Sequence, residues 1–476
     1  MSILKTAILT ILAAFPLSAR NAAAQPMSLE QCIEAALQKN PDITSAALEV
    51  DASEALRKSA RGAFGPRVRL EAGMQRWDQA ARTDMFSGIL SGAAAVTNLG
   101  LSKNNPQAVL LNPQVDFAGD PVLSALSQPI ELRPQFTWSA SATVVQPLAS
   151  LWTVKEGHAL REMGVDVAEI GHKAARRDVA FQVAEAYYRL LQAIRLADVA
   201  QKSVDNIDAQ VKRAQAFFRQ GAVGKNDVLR AELGLAAAKQ RLIQANGTIE
   251  LARGRLAMLL GLPPETAITP TGAVTDVQVS PLLPATEVEN RAISERLEMK
   301  QLAVRIDQAR GGERLAKSKM IPQVNALASL NLQPKTAFSP YSHSWFVGAN
   351  ASWDIWEGGG TYYGIAESKA RLAQALAARR KAEDMIRLDA RSAHVSLVTS
   401  TEALQVARAA VEQAEENFRI EQKRYEAANN TSFDVLDAEN QLTTARGQHQ
   451  AALYEYLIAQ SNLARATGQT TPPRGL

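Results

Sequence analysis

Four stretches of about ten residues alternate apolar and polar side chains with period two. Over 67–77, Val68, Leu70, Ala72 and Met74 oppose Arg67, Arg69, Glu71 and Gln75. Over 136–146, Phe136, Trp138, Ala140, Ala142 and Val144 oppose Thr137, Ser139, Ser141 and Thr143. Over 323–333, Val324, Ala326, Ala328, Leu330 and Leu332 oppose Gln323, Asn325, Ser329 and Asn331, and over 345–355, Trp345, Val347, Ala349, Ala351 and Trp353 oppose Gly348, Asn350, Ser352 and Asp354. This is the pattern of strands with one apolar face. Their length suits tilted strands crossing a bilayer, and tryptophans near strand ends suit its interfaces.

The remainder has helical period. Between 151 and 218 no proline interrupts, and Val183, Ala186, Leu190, Ala193, Ala197, Val204, Ile207, Val211 and Ala214 form an apolar seam. A helix of that length is about 100 Å long, far more than the ~30 Å of a bilayer core. Segment 360–425 is its counterpart. Each long helix is expected to turn and return, as 227–260 and 434–467, and shorter helices are expected at 28–60 and 286–318. Pro66 and Pro322 mark the passages from helix to strand.

The chain repeats itself. Asp227, Val228, Leu229, Ala231 and Glu232 recur as Asp434, Val435, Leu436, Ala438 and Glu439, 207 residues on, and at that offset Gly261 falls on Gly468. In the front parts the offset is 256, so that Pro66 meets Pro322 and Val68 meets Val324. The chain therefore divides into a first repeat at 25–261, a linker at 262–285, a second repeat at 286–468 and a disordered tail at 469–476. The smaller offset implies extra residues in the first repeat, placed at 78–133 as an exposed loop rich in Gly, Asn, Pro and Ala.

Residues 1–24 combine Lys5, an apolar run from Ala7 to Leu17 and small residues at Ala22–Ala24, the pattern of a signal peptide. The 52 basic residues less Lys5 and Arg20 leave 50 against 48 acidic ones, so charge gives no sign of nucleic-acid binding. The lone Cys32 sits in a helical pattern and reads as a small buried residue. The five histidines, at 158, 172, 343, 394 and 449, have no paired ligand spacing. "EGGG" at 357–360 lacks the Lys-Ser or Lys-Thr of a nucleotide-binding loop. No metal, cofactor or catalytic constellation is expected, and the chain does not read as an enzyme.

Four strands cannot close a barrel, and an open edge is not tolerated in lipid, so spanning strands require several copies. "SLEQCIEAALQKNPDI", "QPL" at 146–148, "WDIWEGGG" and "RYEAANNTSFDVLDAEN" resemble the TolC-type outer membrane efflux proteins over 26–468. The resemblance implies a mixed α/β membrane protein, a homotrimer. Four strands per chain would make a 12-stranded β-barrel in outer membrane lipid, continued by a long periplasmic α-helical coiled-coil tunnel. It further implies a passive exit duct served by a periplasmic adaptor and an inner-membrane transporter of the RND or ABC type. The alternative within that fold is the outer membrane component of a type I protein or polysaccharide secretion system. A soluble periplasmic coiled-coil scaffold explains the helices but not the four alternating segments.

The resemblance also assigns residues. Asp434 and Asp437, three apart on one helix face, match acidic rings around the periplasmic aperture, although helix-start capping would also account for them. Asp227 and Tyr425 match members of an entrance gating network; a plain helix cap and an aromatic packed between helices are their other readings. Asn430 stands where an arginine is usual, and Ala428 where a turn glycine is usual, whereas Gly221 at the 207-residue offset keeps it. A neutral Asn430 cannot make a guanidinium's charge-assisted bonds, so the latch is expected to be weaker or differently built.

Overall fold

The computed structural model describes residues 25–83, 130–149, 151–272, 277, 281, 283–335, 342–427 and 429–473. The expected signal peptide at 1–24, most of the 78–133 loop and Ala428 lie outside them. In chain order the elements begin with β1 (Gln25–Met27), α1 (Leu29–Lys39), α2 (Pro41–Gly62) and β2 (Arg67–Arg76). β3 (Ala81–Thr83), β4 (Ile130–Arg133), β5 (Phe136–Pro147), α3 (Leu151–Arg219) and α4 (Lys225–Leu259) complete the first half. β6 (Ile268–Pro270) leads to α5 (Ala285–Glu295), α6 (Leu297–Lys317), β7 (Gln323–Leu332), β8 (His343–Ser352), α7 (Gly360–Glu426) and α8 (Ser432–Ala466).

The two offsets reappear in these bounds. α1 and α5, α2 and α6, and β2 and β7 begin 256 residues apart, while β5 and β8, and α4 and α8, begin 207 apart. The residues fall into two compact units, each drawing on both repeats: a helical one comprising the described chain to Glu54, Glu162–Arg310 and everything from Ala370, and a second one of Ala55–Arg161 and Gly311–Lys369.

The second unit holds a four-stranded antiparallel sheet in the order β2-β5-β7-β8. Pairing runs from Arg67↔Val145 to Arg76↔Phe136, and from Gln323↔Ser352 to Leu332↔His343. Between the repeats, β5 lies on β7 from Ala140↔Leu332 to Pro147↔Asn325. Because side chains alternate across a pleat, Val68, Leu70, Ala72 and Met74 share a face with Val144, Ala142, Ala140 and Trp138. That apolar face has no cover: Leu70 is 78 %, Met74 79 % and Trp345 72 % exposed. The last strand, expected at 345–355, ends at Ser352, because β7 offers its final partner there in Gln323. The expected loop at 78–133 starts and finishes as structure instead: β3 pairs with β4, and Arg133 lies over the Trp77 ring at 3.7 Å. No helix among the described residues is long and apolar enough to cross a membrane, which says nothing of strands.

In the helical unit, Cys32, Ala36, Val183, Tyr187, Leu190, Leu256, Tyr454 and Leu457 form the main core. The seam expected along the first long helix is buried except at Val204, where its neighbour Ser203 is buried instead. Cys32 is fully buried, and desolvation pushes its thiol up to about 12. The expected linker contributes β6, which pairs in parallel with β1, and the Tyr187 hydroxyl donates to the Thr271 carbonyl at 2.6 Å.

The single short helices expected at 28–60 and 286–318 are each two helices. The first break falls at Asn40, extended at ψ 129 because Pro41 disfavours the helical conformation before it. Its side chain donates to the Leu259 carbonyl at 2.9 Å and accepts from the Asp42 N–H at 2.8 Å. The second break, at Arg296, has no proline after it; Arg296 is nearly buried and donates to Asp389 at 2.7 Å and Glu298 at 3.3 Å. The same glycine of each repeat packs on each break. A Cβ on Gly261 (φ 69°) would lie 2.6 Å from the Lys39 carbonyl oxygen, and one on Gly468 (φ 85°) would lie 2.8 Å from Glu295 Cβ. Beyond Gly468 the tail is not structureless at first: the Gln469 N–H donates to the Ala464 carbonyl and Pro472 is buried, because the glycine turns the chain back onto the unit.

Two predictions follow from these breaks. Gly261→Ala and Gly468→Ala each force a non-glycine residue to positive φ, costing about 1–2 kcal/mol before the backbone clash is counted. Thermal unfolding in detergent should register both losses, whereas Gly312→Ala, at a helical site with open space around it, should cost nothing. The second concerns acid. Burial would raise the Glu298 carboxyl, but bonds from Arg177 at 2.9 and 3.1 Å and the charge of Arg296 prevail and hold it at about 2, against 4.5 ordinarily. A carboxylate depressed by folding stabilises fully above its unfolded value and loses that contribution as pH falls from 4.5 toward 2. Unfolding midpoints across that window should fall less steeply in Glu298→Gln than in the wild type.

Candidate functional site

The five residues singled out from the sequence lie at the two helix-to-helix turns of the helical unit. In the first half, α3 ends at Arg219, Gly221 takes positive φ (73°), and α4 starts after Gly224. Asp227 lies in the first turn of α4, where a carboxylate favours the positive end of the helix dipole.

In the second half the turn from α7 to α8 is tied by Asp434 and Asn430. Thr431 caps α8, and its N–H and hydroxyl donate to Asp434 Oδ2 at 2.9 and 2.8 Å. Those bonds from Thr431, the backbone one foremost, lower the half-buried Asp434 carboxyl below its ordinary value. Capping is therefore a role Asp434 does perform. One helical turn on, Asp437 accepts from Gln441 Nε2 at 2.7 Å.

Asn430 turns inward to its own chain. Its Nδ2 donates to the Glu421 carbonyl at 3.0 Å and to the Glu421 carboxylate at 2.7 Å, while Arg424 donates to the other carboxylate oxygen at 2.9 Å. Glu421, Arg424, Asn430, Asp434 and Asp437 thus share one open cavity of about 510 Å³. Among the described residues lining it, Arg424 is the one cation, against three carboxylates.

Tyr425 is almost fully buried, with its ring 5.5 Å from that of Phe217. Burial, and then the Asp227 carboxylate, raise its phenol above the ordinary value, and Arg213 opposes them. Its hydroxyl has no hydrogen-bond partner among the described residues. The structure thus brings Asp227 and Tyr425 into electrostatic contact, and places Asn430, Asp434 and Asp437 around the cavity.

Sequence reasoning missed Arg213, Glu421 and Gln422. Arg213 donates to Gln210 at 3.3 Å and, with the Gln422 amide oriented oxygen-first, to Gln422 at 2.6 and 2.7 Å. No spacing within either long helix marks this contact, because it depends on which faces of the two helices meet. Among the described residues no group of three or more His, Cys, Asp or Glu could hold a metal ion.

The outer membrane efflux protein family model matches residues 32–102, 106–262 and 288–469. The chain belongs to the outer membrane efflux protein family. It is similar to the outer membrane protein TolC of Salmonella enteritidis, 23 % identical over 350 residues that cover 69 % of each chain. It is also similar to the alkaline protease secretion protein AprF of Pseudomonas aeruginosa, 23 % identical over 300 residues covering 61 % of each. Its fold matches the Campylobacter jejuni CmeC outer membrane channel with a TM-score of 0.72 at 15 % identity, over 93 % of this chain and 86 % of that one. The protein is thus an outer membrane efflux or secretion channel, with a helical tunnel on the periplasmic side, and its relatives are channels rather than enzymes. Membership in this family overturns the soluble scaffold as a reading.

Removing the Tyr425 hydroxyl leaves no partner unpaired, so Tyr425→Phe should keep the unfolding midpoint. Tyr425→Ala deletes a buried aromatic ring and should cost about 3–5 kcal/mol in the same detergent melt.

Proposed function

We propose that this outer membrane efflux family member is the exit duct of a tripartite efflux system. It conducts small toxic compounds passively from a periplasmic adaptor and an inner-membrane RND or ABC-type transporter to the exterior. The observation that carries this reading is the open four-stranded sheet. Among the described residues both outer strands, β2 and β8, have a free edge, and the apolar row of the sheet is bare. Unpaired backbone groups cost several kcal/mol each in hydrocarbon, so lipid-facing strands must close on themselves. Three copies supply twelve strands, an even number wide enough for a polar lumen lined by the Ser, Thr and Asn face. The bare Leu70, Met74, Trp345 and Val347 then meet outer membrane lipid.

At the other end, Asp434 and Asp437 are proposed to ring the periplasmic aperture, and Asp227, Tyr425 and Asn430 to hold it. Six carboxylates around one opening attract cations and oppose approach of the helix ends. The Asn430–Glu421 bonds support a latch that stiffens each turn within its own chain. A second reading, a duct for protein secretion, draws on the name of AprF.

The test is single-channel conductance of the purified protein in planar bilayers. The wild type should give a low, cation-selective conductance, and Asp434→Asn with Asp437→Asn should lose the selectivity. Absence of any channel from correctly inserted protein would overturn the duct, and unchanged selectivity would remove the two aspartates from the aperture.

A further inference from the structure

The internal repeat specifies how the sheet's two free edges meet. β2 corresponds to β7 at the 256-residue offset and β5 to β8 at 207, and the pairings obey this: Arg67↔Val145 becomes Gln323↔Ser352. One seam has no counterpart within the chain. β5 of the first repeat lies on β7 of the second, whereas the edge of β8 that corresponds to it is bare. The equivalent occupant of that edge is a β2, and the chain's own β2 already lies at the far side of the sheet.

We infer that β8 pairs with β2 of a second copy in the register of the β5–β7 seam, setting Asp354 opposite Arg69 of that copy. This rests on the barrel proposed above and adds its register. Shifting both partners of the seam by their offsets converts Pro147↔Asn325 into Asp354↔Arg69, Val145↔Leu327 into Ser352↔Glu71, and Thr143↔Ser329 into Asn350↔Gly73. The Leu148 N–H that donates to the Val324 carbonyl becomes an Ile355 N–H donating to Val68.

Three independent features fit this register. The faces agree, since Trp353, Ala351 and Ala349 come to lie against the apolar Leu70, Ala72 and Met74. Three of these, Trp353, Leu70 and Met74, are among the bare apolar side chains. The charges agree as well. Asp354 and Arg69 are both exposed, and among the described residues the carboxylate neighbour of Arg69 is Glu71, at 3.5 Å on its own strand. Finally, β5 continues to Pro147 where β7 accompanies it, whereas β8 stops at Ser352, two residues short of the equivalent Asp354. Those two residues are the ones the neighbouring β2 would order.

The seam also identifies a position for a covalent test. Because Leu148 and Val324 share a hydrogen bond, alternation makes Thr143 and Ser329 a non-hydrogen-bonded pair, and their hydroxyls are 3.2 Å apart. Asn350 and Gly73 inherit that close spacing, within reach of a disulfide. A side chain on Gly73 is tolerated, its Cβ meeting Ser139 Oγ at an ordinary 3.6 Å.

The experiment is oxidative cross-linking of Gly73→Cys/Asn350→Cys in outer membranes, read on non-reducing gels beside both single variants, in which the buried Cys32 is the control thiol. The expected result is reducible species up to the trimer in the double variant alone. If the link forms instead with Glu71→Cys/Asn350→Cys or Gln75→Cys/Asn350→Cys, the register is overturned while the barrel stands. If none of the three pairs links, pairing between copies is overturned and the barrel with it. For the ion pair, Arg69→Asp and Asp354→Arg should each lower the temperature at which trimers dissociate in detergent, and together restore it. Failure of the double variant to recover would overturn the Asp354–Arg69 contact.

Discussion

An unpaired strand edge is a row of donors and acceptors that water can satisfy and hydrocarbon cannot. The architecture of this chain follows from having two such edges and too few strands to join them. β5 and β7 are flanked on both sides, yet β2 and β8 each keep one edge open, and every residue of both is exposed. A soluble protein would blunt such edges with charges or prolines. Here the apolar row runs out to both of them, which is what the proposed closure with further copies would answer.

The duplicated sequence makes the helical unit from matched parts, and the match is closest where tertiary contact is tightest. Gly261 and Gly468 turn their helices onto Asn40 and Arg296, the breaks between short helices in the two halves. The repeats have solved the same packing problem with different chemistry. In the first, Pro41 enforces the break and an asparagine amide fastens it to Leu259. In the second no proline is present, and a nearly buried guanidinium shared between Asp389 and Glu298 holds it. An isolated buried charge would be prohibitive, and the carboxylates of Asp389 and Glu298 are what make Arg296 tolerable.

The elements that were legible in the sequence are those whose cause is local. Alternation over Arg67–Arg76 reflects a pleat with two unlike sides, and the seam from Val183 to Ala214 reflects one helix stripe. Both causes lie within the segment that carries the pattern. The break at Asn40 has a local mark in Pro41 that the helical period concealed, whereas the break at Arg296 was not legible, because the group fixing it stands 93 residues away. The same holds for β8, whose end is set by its neighbour's last partner rather than by its own composition. Around the turn from α7 to α8, the spacing of Asp434 and Asp437 marked them as one face, but Glu421 went unnoticed. Its role depends on Asn430 folding back nine residues, which no helical periodicity encodes.

That fold-back changes the electrostatics of the turn. An arginine at 430 would carry a positive charge toward whatever faces it, whereas Asn430 spends its donors on Glu421 and leaves the charge count of the turn unchanged. Arg424, the one cation among the described residues lining the cavity, is paired with that same Glu421. Asp434 uses one oxygen to cap α8, and Asp437 has only an amide for company. Among the described residues, neither carboxylate therefore has a cation of its own chain paired with it. With screening over about 8 Å at physiological ionic strength, like charges on neighbouring turns repel strongly only when the helix ends draw close.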